Sequence, residues 1–200
     1  MEGRIIGITG KYCAGKNLAA AYLEGKGWHC IDVDRTGHRV LELEKDSLAK
    51  RFGGHIIAGN GKIDRSLLGG IVFKDRNSLR DLESIVHPRM RTLVQTEAAG
   101  MSQNGIDVGI NAALLFPMGL HSLCDCVMLV RSPLWVRIAR ARKRDGLSWR
   151  SIFQRFASQR RLFPKKLTKN VDMYNVRNSA NRAHFFADIE EFLKLIERQG

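Results

Sequence analysis

Gly10-Lys11-Tyr12-Cys13-Ala14-Gly15-Lys16-Asn17 is the stretch that decides the fold of this 200-residue chain. It follows the phosphate-loop outline G-x-x-x-x-G-K-[ST], with Asn17 where the outline has a hydroxyl. The bare outline is common by chance, so its flanks must carry the reading. Before it, Arg4-Ile5-Ile6-Gly7-Ile8-Thr9 is a short apolar run that reads as a strand buried on both faces. After it, Leu18, Ala21, Tyr22 and Gly25 follow helical spacing, and Gly25 and Gly27 stand as stops. A Gly-rich turn before an ordinary helix would share the outline, but strand, glycine loop and helix in this order meet a specific chemical need. Gly10 and Gly15 let successive backbone N–H groups point at a polyphosphate, and the helix N-terminus adds partial positive charge. Lys16 reaches the β- and γ-phosphates. The stretch reads as a nucleotide site.

Working outward, Trp28 to Asp32 reads as a second strand, closing on Asp32-Val33-Asp34, and Arg35 to Lys50 as a helix. Phe52 to Gly61 is a Gly-rich turn. Asp64 to Phe73 and Ser78 to Met101 look helical, with Asp64 as an N-cap and Pro88 as a kink or break. Ile106 to Phe116 reads as a third strand and Cys126 to Val130 as a fourth. Pro133 opens a helix through Lys143, a weak strand spans Val171 to Tyr174, and a final helix runs from Arg182 to Arg198. Strands alternating with helices imply an α/β fold, a parallel sheet covered by helices on both faces. Ligands of such sheets gather at the carboxyl ends of the strands, where both the loop and Asp32-Val33-Asp34 fall. Paired carboxylates there can hold a metal or take a proton from a hydroxyl. Asp34 could equally cap the helix that follows it.

Hydrophobic residues make up 44% of the chain, enough for one α/β core, and no apolar run is long enough for a membrane span. The N-terminus enters the first strand without a basic segment and apolar core, so a cytoplasmic protein is expected. Cys13, Cys30, Cys124 and Cys126 form no C-x-x-C pair and read as reduced thiols, with Cys13, inside the anion-binding loop, the candidate for redox sensitivity. Net charge is +13, which could indicate nucleic acid. Residues 137–169 carry twelve basic side chains against one acid, so +11 of it belongs to one segment. That concentration argues against a nucleic-acid surface and leaves one segment to be explained. Arg137, Arg140 and Arg144 share a helix face and could reach a triphosphate together, while a solvated surface accounts for several of the others.

In order along the chain, these motifs resemble the dephospho-coenzyme A kinase family. Ile6 to Lys16 resembles its opening strand and loop, and Ile31-Asp32-Val33-Asp34 its I-D-A-D signature. Phe52-Gly53, Asn60-Gly61-Lys62-Ile63-Asp64-Arg65, and Leu68 with Ile71-Val72-Phe73 resemble its F-G, D-G-x-I-D-R and L-x-x-I-V-F elements. Leu82-Glu83 with His87-Pro88, Leu114-Leu115-Phe116, Arg140, Arg144-Asp145, Gln159 and Asn178-Ser179 continue the likeness.

The resemblance implies a P-loop kinase that moves the γ-phosphoryl of ATP to the ribose 3′-hydroxyl of dephospho-coenzyme A, with Mg2+ as the metal. It makes Asp34 the base, with Lys16 and Arg140 also catalytic. It puts ATP on Gly10, Lys11, Tyr12, Cys13, Ala14, Gly15, Lys16, Asn17, Leu18, Arg140, Arg144 and Asn178. Asp34, Arg65, His87 and Leu115 take the acceptor, and Asn17 and Asp32 the metal. A single kinase domain over 1–200 is expected, with a core at about 1–60, 105–136 and 170–200, a helical substrate-binding part at about 61–104 and a lid at about 137–169. Membrane contact is not expected, nucleic acid is disfavoured, and the oligomeric state is open. Departures cluster near the metal: Asn17 replaces a hydroxyl, Asn111 stands where an acid is usual, and Ala113 and Pro117 replace the ends of P-L-L-F-E. Lys11 and Tyr12 are bulky where the family has G-I. The rival readings are another small-molecule P-loop kinase, or a nucleotide or nucleic-acid binder that has lost its metal site.

Overall fold

A computed structural model describes residues 2–145, 171–179 and 181–198. Five strands, β1 (Ile5–Gly10), β2 (His29–Asp32), β3 (Val108–Asn111), β4 (Cys126–Arg131) and β5 (Asp172–Arg177), form one sheet in the order β2-β3-β1-β4-β5. β1 lies in the middle, pairing in parallel with β3 (Gly7 opposite Ile110) and with β4 (Gly7 opposite Val127). Its apolar run is buried from Ile6 to Thr9, as expected of a central parallel strand flanked on both edges.

Helices α1 (Lys16–Glu24) and α7 (Arg182–Glu197) pack on the sheet through one apolar cluster that includes Ile6, Ile8, Leu23, Met128, Phe185 and Ile189. These six side chains are fully buried. Burying such a side chain contributes about 1.5–3 kcal/mol, so this cluster anchors β1 and the start of α1 on either side of the loop. Asn181 caps α7, its side chain accepting from Ala183 N and His184 N.

The chain divides into two compact units, Met1–Ile31 with Ala98–Gly200, and Asp32–Glu97. In the second unit, α2 (Val33–Leu43) begins earlier than expected, because Asp32 and not Asp34 is its N-cap. The expected single helix from Arg35 to Lys50 is two. It breaks at Glu44 (φ −96°, ψ 16°), and α3 (Lys45–Phe52) follows. The halves bury separate stripes, Val33 and Val40 in α2, Leu48 and Phe52 in α3. Asp64 caps α4 (Arg65–Val72), accepting from Ser66 N and Leu67 N, as its position suggested.

Pro88 does not end its helix. α5 (Arg76–Gln103) runs through it, starting where the Asp75 carboxylate accepts from Asn77 N and Ser78 N. A proline removes one intrahelical bond, yet Val86, Met90 and Val94 form a buried stripe on both sides of it and hold the helix together. β3 is shorter than the apolar run that announced it, ending at Asn111, and β5 is longer, reaching Arg177. α6 (Leu134–Asp145) begins just after Pro133, as proline at a helix start suggested.

Candidate active site

The loop between β1 and α1 is shaped by close approach. A Cβ on Gly10 would lie 2.4 Å from the Val130 carbonyl oxygen on β4, so only glycine lets the strands meet there. Ala14 N donates to Lys11 O at 2.9 Å and closes the turn, and Cys13 takes a left-handed φ of 57°, unusual for a residue with a side chain. Gly15 at φ 110° has no such difficulty, and a Cβ there would meet Asn178 Nδ2 at 2.1 Å. Lys16 Nζ bonds the Gly10 carbonyl at 3.2 Å, folding the lysine back over the loop.

The loop's carbonyls are held from outside. Arg137 Nε donates to Tyr12 O at 2.8 Å, and Arg140 Nη1 to Cys13 O at 3.5 Å and Ala14 O at 3.3 Å. Asn178 Nδ2 donates to Ala14 O at 2.9 Å and its Oδ1 accepts from Arg140 Nη2 at 2.6 Å. Asn178 itself is buried and fixed by its backbone N–H, which donates to Arg131 O at 2.7 Å. In a trans peptide the N–H points away from its C=O. Turning the carbonyls of Tyr12 and Ala14 outward therefore aims the N–H groups of Cys13 and Gly15 inward, the arrangement that binds anions, while Ala14 N stays on Lys11 O. Burial lowers the pKa of both Arg137 and Arg140. Arg137 is buried against the loop backbone, so its guanidinium supports the loop instead of joining Arg140 and Arg144 on a triphosphate. The Arg144 side chain and residues 146–169 of the expected lid, Gln159 among them, lie outside the described residues.

A cavity of about 490 Å³ adjoins the loop, lined by Cys13, Gly15, Lys16, Asn17, Leu18, Arg140 and Lys143. Three of these side chains are cationic, and no described residue lining it carries a carboxylate. Asn17 is fixed by Asn111, whose Nδ2 donates to Asn17 Oδ1 at 3.1 Å from the buried end of β3. Lys11 is exposed and Tyr12 half-buried on the loop.

The remaining expected residues are placed as follows. Asp32 Oδ1 accepts from Asp34 N at 3.0 Å and Arg35 N at 3.2 Å. Asp34, freed from capping, is exposed in the first turn of α2. Arg65 is exposed at the start of α4, and His87 is half-buried in α5, where burial lowers its pKa. Leu115 departs from expectation as an acceptor contact. It is fully buried, and its Cδ2 lies so close over Gly7 that a Cβ there would come within 2.6 Å, so it packs the core. Among the described residues no three His, Cys, Asp or Glu gather to hold a metal, and no helix is long and apolar enough to cross a membrane. Sequence reasoning missed Ser132, whose Oγ accepts from Arg140 Nη1 at 3.4 Å. It also missed that Asn178 grips loop backbone. The only signal for the latter was an asparagine directly beyond an edge strand.

A family model for dephospho-CoA kinase matches residues 4–181. A dephospho-CoA kinase of Borrelia garinii is 33% identical over 203 residues, covering 96% of this chain and 94% of the relative. One from Shouchella clausii is 34% identical over 170 residues, covering 83% and 86%. A crystal structure from Thermus thermophilus superposes with a TM-score of 0.81 at 29% identity, covering 100% of this chain and 98% of that one. The P-loop architecture recurs in a shikimate kinase from Bacteroides thetaiotaomicron, with a TM-score of 0.53 at 16% identity. With the family model and these relatives spanning most of its length, the chain belongs to the dephospho-CoA kinase family.

Proposed function

We propose that this protein transfers the γ-phosphoryl of ATP to the ribose 3′-hydroxyl of dephospho-coenzyme A, giving coenzyme A in the last step of its synthesis, in the cytoplasm. Family membership supports the reaction, and one observation carries the nucleotide half of it. The carbonyls of Tyr12, Cys13 and Ala14 are drawn outward by Arg137, Arg140 and Asn178, leaving the N–H groups of Cys13 and Gly15 for a polyphosphate.

Phosphoryl transfer asks the protein mainly for in-line positioning and charge stabilisation. The loop amides and the N-terminus of α1 hold the phosphates, Lys16 balances charge that builds between the β- and γ-phosphates, and Arg140 and Arg144 add positive charge. Asp34 orients the acceptor hydroxyl and takes its proton as the new P–O bond forms, and ADP leaves. Being exposed and not committed to a cap, its carboxylate is available for that proton. Arg65 and His87 contribute to the acceptor site in this reading, residues 61–104 make the substrate-binding part, and residues 137–169 act as a lid that excludes water and limits ATP hydrolysis.

Mg2+ would neutralise phosphate charge when bound. The residues present fit only an ion that arrives with the nucleotide: Asp32 has a carboxylate with one oxygen engaged by backbone N–H groups, whereas the Asn17 oxygen is taken by Asn111. Mg2+ accepts such a sparse protein contribution, since it keeps several waters and binds substrate phosphates.

The test supplies ATP, Mg2+ and dephospho-coenzyme A and follows coenzyme A by chromatography. Product with this acceptor and none with shikimate or free nucleosides supports the reading. ATP binding without product from dephospho-coenzyme A overturns it.

A further inference from the structure

Residue 17 stands where a phosphate loop ordinarily puts a hydroxyl on the metal. The chemistry here is different. Asn111 ends β3, paired in register with Ile8 of β1 and buried, so its amide is held in place. Its Nδ2 donates to Asn17 Oδ1 at 3.1 Å. In this arrangement the Asn17 oxygen is turned to Asn111, and the NH2 is the end left for the cavity that Asn17 lines. An amide NH2 only donates hydrogen bonds. It suits a phosphate oxygen and cannot ligate a cation.

The rest of the lining agrees. Lys16, Arg140 and Lys143 line the same cavity, and no described lining residue carries a carboxylate to draw in a divalent ion. A triphosphate meeting three cations, a helix N-terminus and an added amide donor has much of its charge balanced by protein alone.

We propose that Asn17 is a phosphate ligand and that the loop binds the nucleoside triphosphate in its metal-free form about as tightly as in its Mg2+ form. This rests on the reading of residues 10–18 as the ATP site and sharpens it. Metal is then needed for transfer and not for capture, so nucleotide affinity and turnover respond differently to Mg2+.

The experiment titrates ATP into the full chain by calorimetry, once with EDTA and once with excess Mg2+, for wild type and Asn17→Asp. Asp is isosteric with Asn and keeps an acceptor for Asn111 Nδ2, so the fold is preserved, while an anionic oxygen replaces the NH2 facing the phosphates. Wild-type dissociation constants should agree within about threefold between the two conditions, and Asn17→Asp should bind metal-free ATP at least about tenfold more weakly than wild type. Wild-type binding that appears only with Mg2+ overturns the proposal while leaving the ATP site intact. Metal-free ATP bound equally by Asn17→Asp and wild type removes Asn17 from the phosphates. No ATP binding to wild type in either condition refutes the nucleotide site itself, and the proposal with it. The wild-type comparison alone decides the metal question, whatever the variant does.

Discussion

Asn111 and Asn17, 94 positions apart in sequence, are joined by one side-chain hydrogen bond of 3.1 Å, and the donor is the buried partner. Two departures that look independent along the chain are thus a single unit. Asn17→Ser shortens the side chain and removes the acceptor, leaving Asn111 Nδ2 without its partner. We expect a stability loss of about 1–2 kcal/mol, read as a lower urea midpoint at unchanged slope, and a much smaller loss in Asn17→Asp. Equal stability of Asn17→Ser and wild type would show that the bond contributes nothing.

Asp34→Asn should leave ATP affinity nearly unchanged and lower kcat by on the order of 10²- to 10⁴-fold, the usual worth of a general base. Calorimetry for ATP and a coupled ADP assay measure the two separately. Turnover near that of wild type would reduce Asp34 to a residue of the first helical turn.

Arg140 bridges two loop carbonyls, Ser132 and Asn178. Its planar fork serves several acceptors at once, which a lysine ammonium does not reproduce. Arg140→Ala should lower kcat/KM for ATP by about tenfold or more, and Arg140→Lys should recover only part of that. Full recovery with lysine would mean that charge alone matters. A loss of RNA affinity with unchanged kinase kinetics would return the basic segment to nucleic acid.

Burial pushes the thiols of Cys30, Cys124 and Cys126 up to about 12, which keeps them protonated and slow to alkylate at neutral pH. Cys13 lines the phosphate cavity. Limited iodoacetamide treatment followed by peptide mass mapping should find Cys13 modified first, with saturating ATP protecting it. Modification spread evenly over the four cysteines would contradict this.

His87 is pushed below its ordinary pKa by burial, with Glu83 opposing. A base whose pKa is lowered by folding stabilises the native state above its unfolded value, and that stability is lost as pH falls and the unfolded chain takes the proton first. Wild type should therefore lose more stability than His87→Gln between about pH 7 and pH 5. Parallel pH profiles for the two proteins would rule out a contribution from His87.

The nucleotide loop and the central strand were legible because glycine, lysine and a β-branched apolar run each leave a local mark. The caps at Asp64 and Pro133 were legible for the same reason. What escaped was set by distant partners. Nothing local in Arg35 to Lys50 marks the break at Glu44, and Pro88 reads as a stop until the buried stripe on both sides of it is seen. Helical phase put Arg137 with Arg140 and Arg144, but phase cannot say that a guanidinium ends on a backbone carbonyl 125 positions earlier. Leu115 was misread for a similar reason, since an apolar residue after a strand looks alike whether it meets a ligand or Gly7.

The grip of Asn178 on Ala14 spans 164 positions, and those of Arg137 and Arg140 on the same loop span 125 to 127. During synthesis the loop leaves the ribosome at least 125 positions ahead of the side chains that orient its carbonyls. β1 also waits, because its neighbours β3 and β4 begin only at Val108 and Cys126. A chain that has grown no further than Arg131 therefore carries the whole loop sequence without Arg137, Arg140 or Asn178. Shaping of the nucleotide loop thus waits for chain made long after the loop itself, and a fragment stalled before Arg137 is expected to hold no ATP.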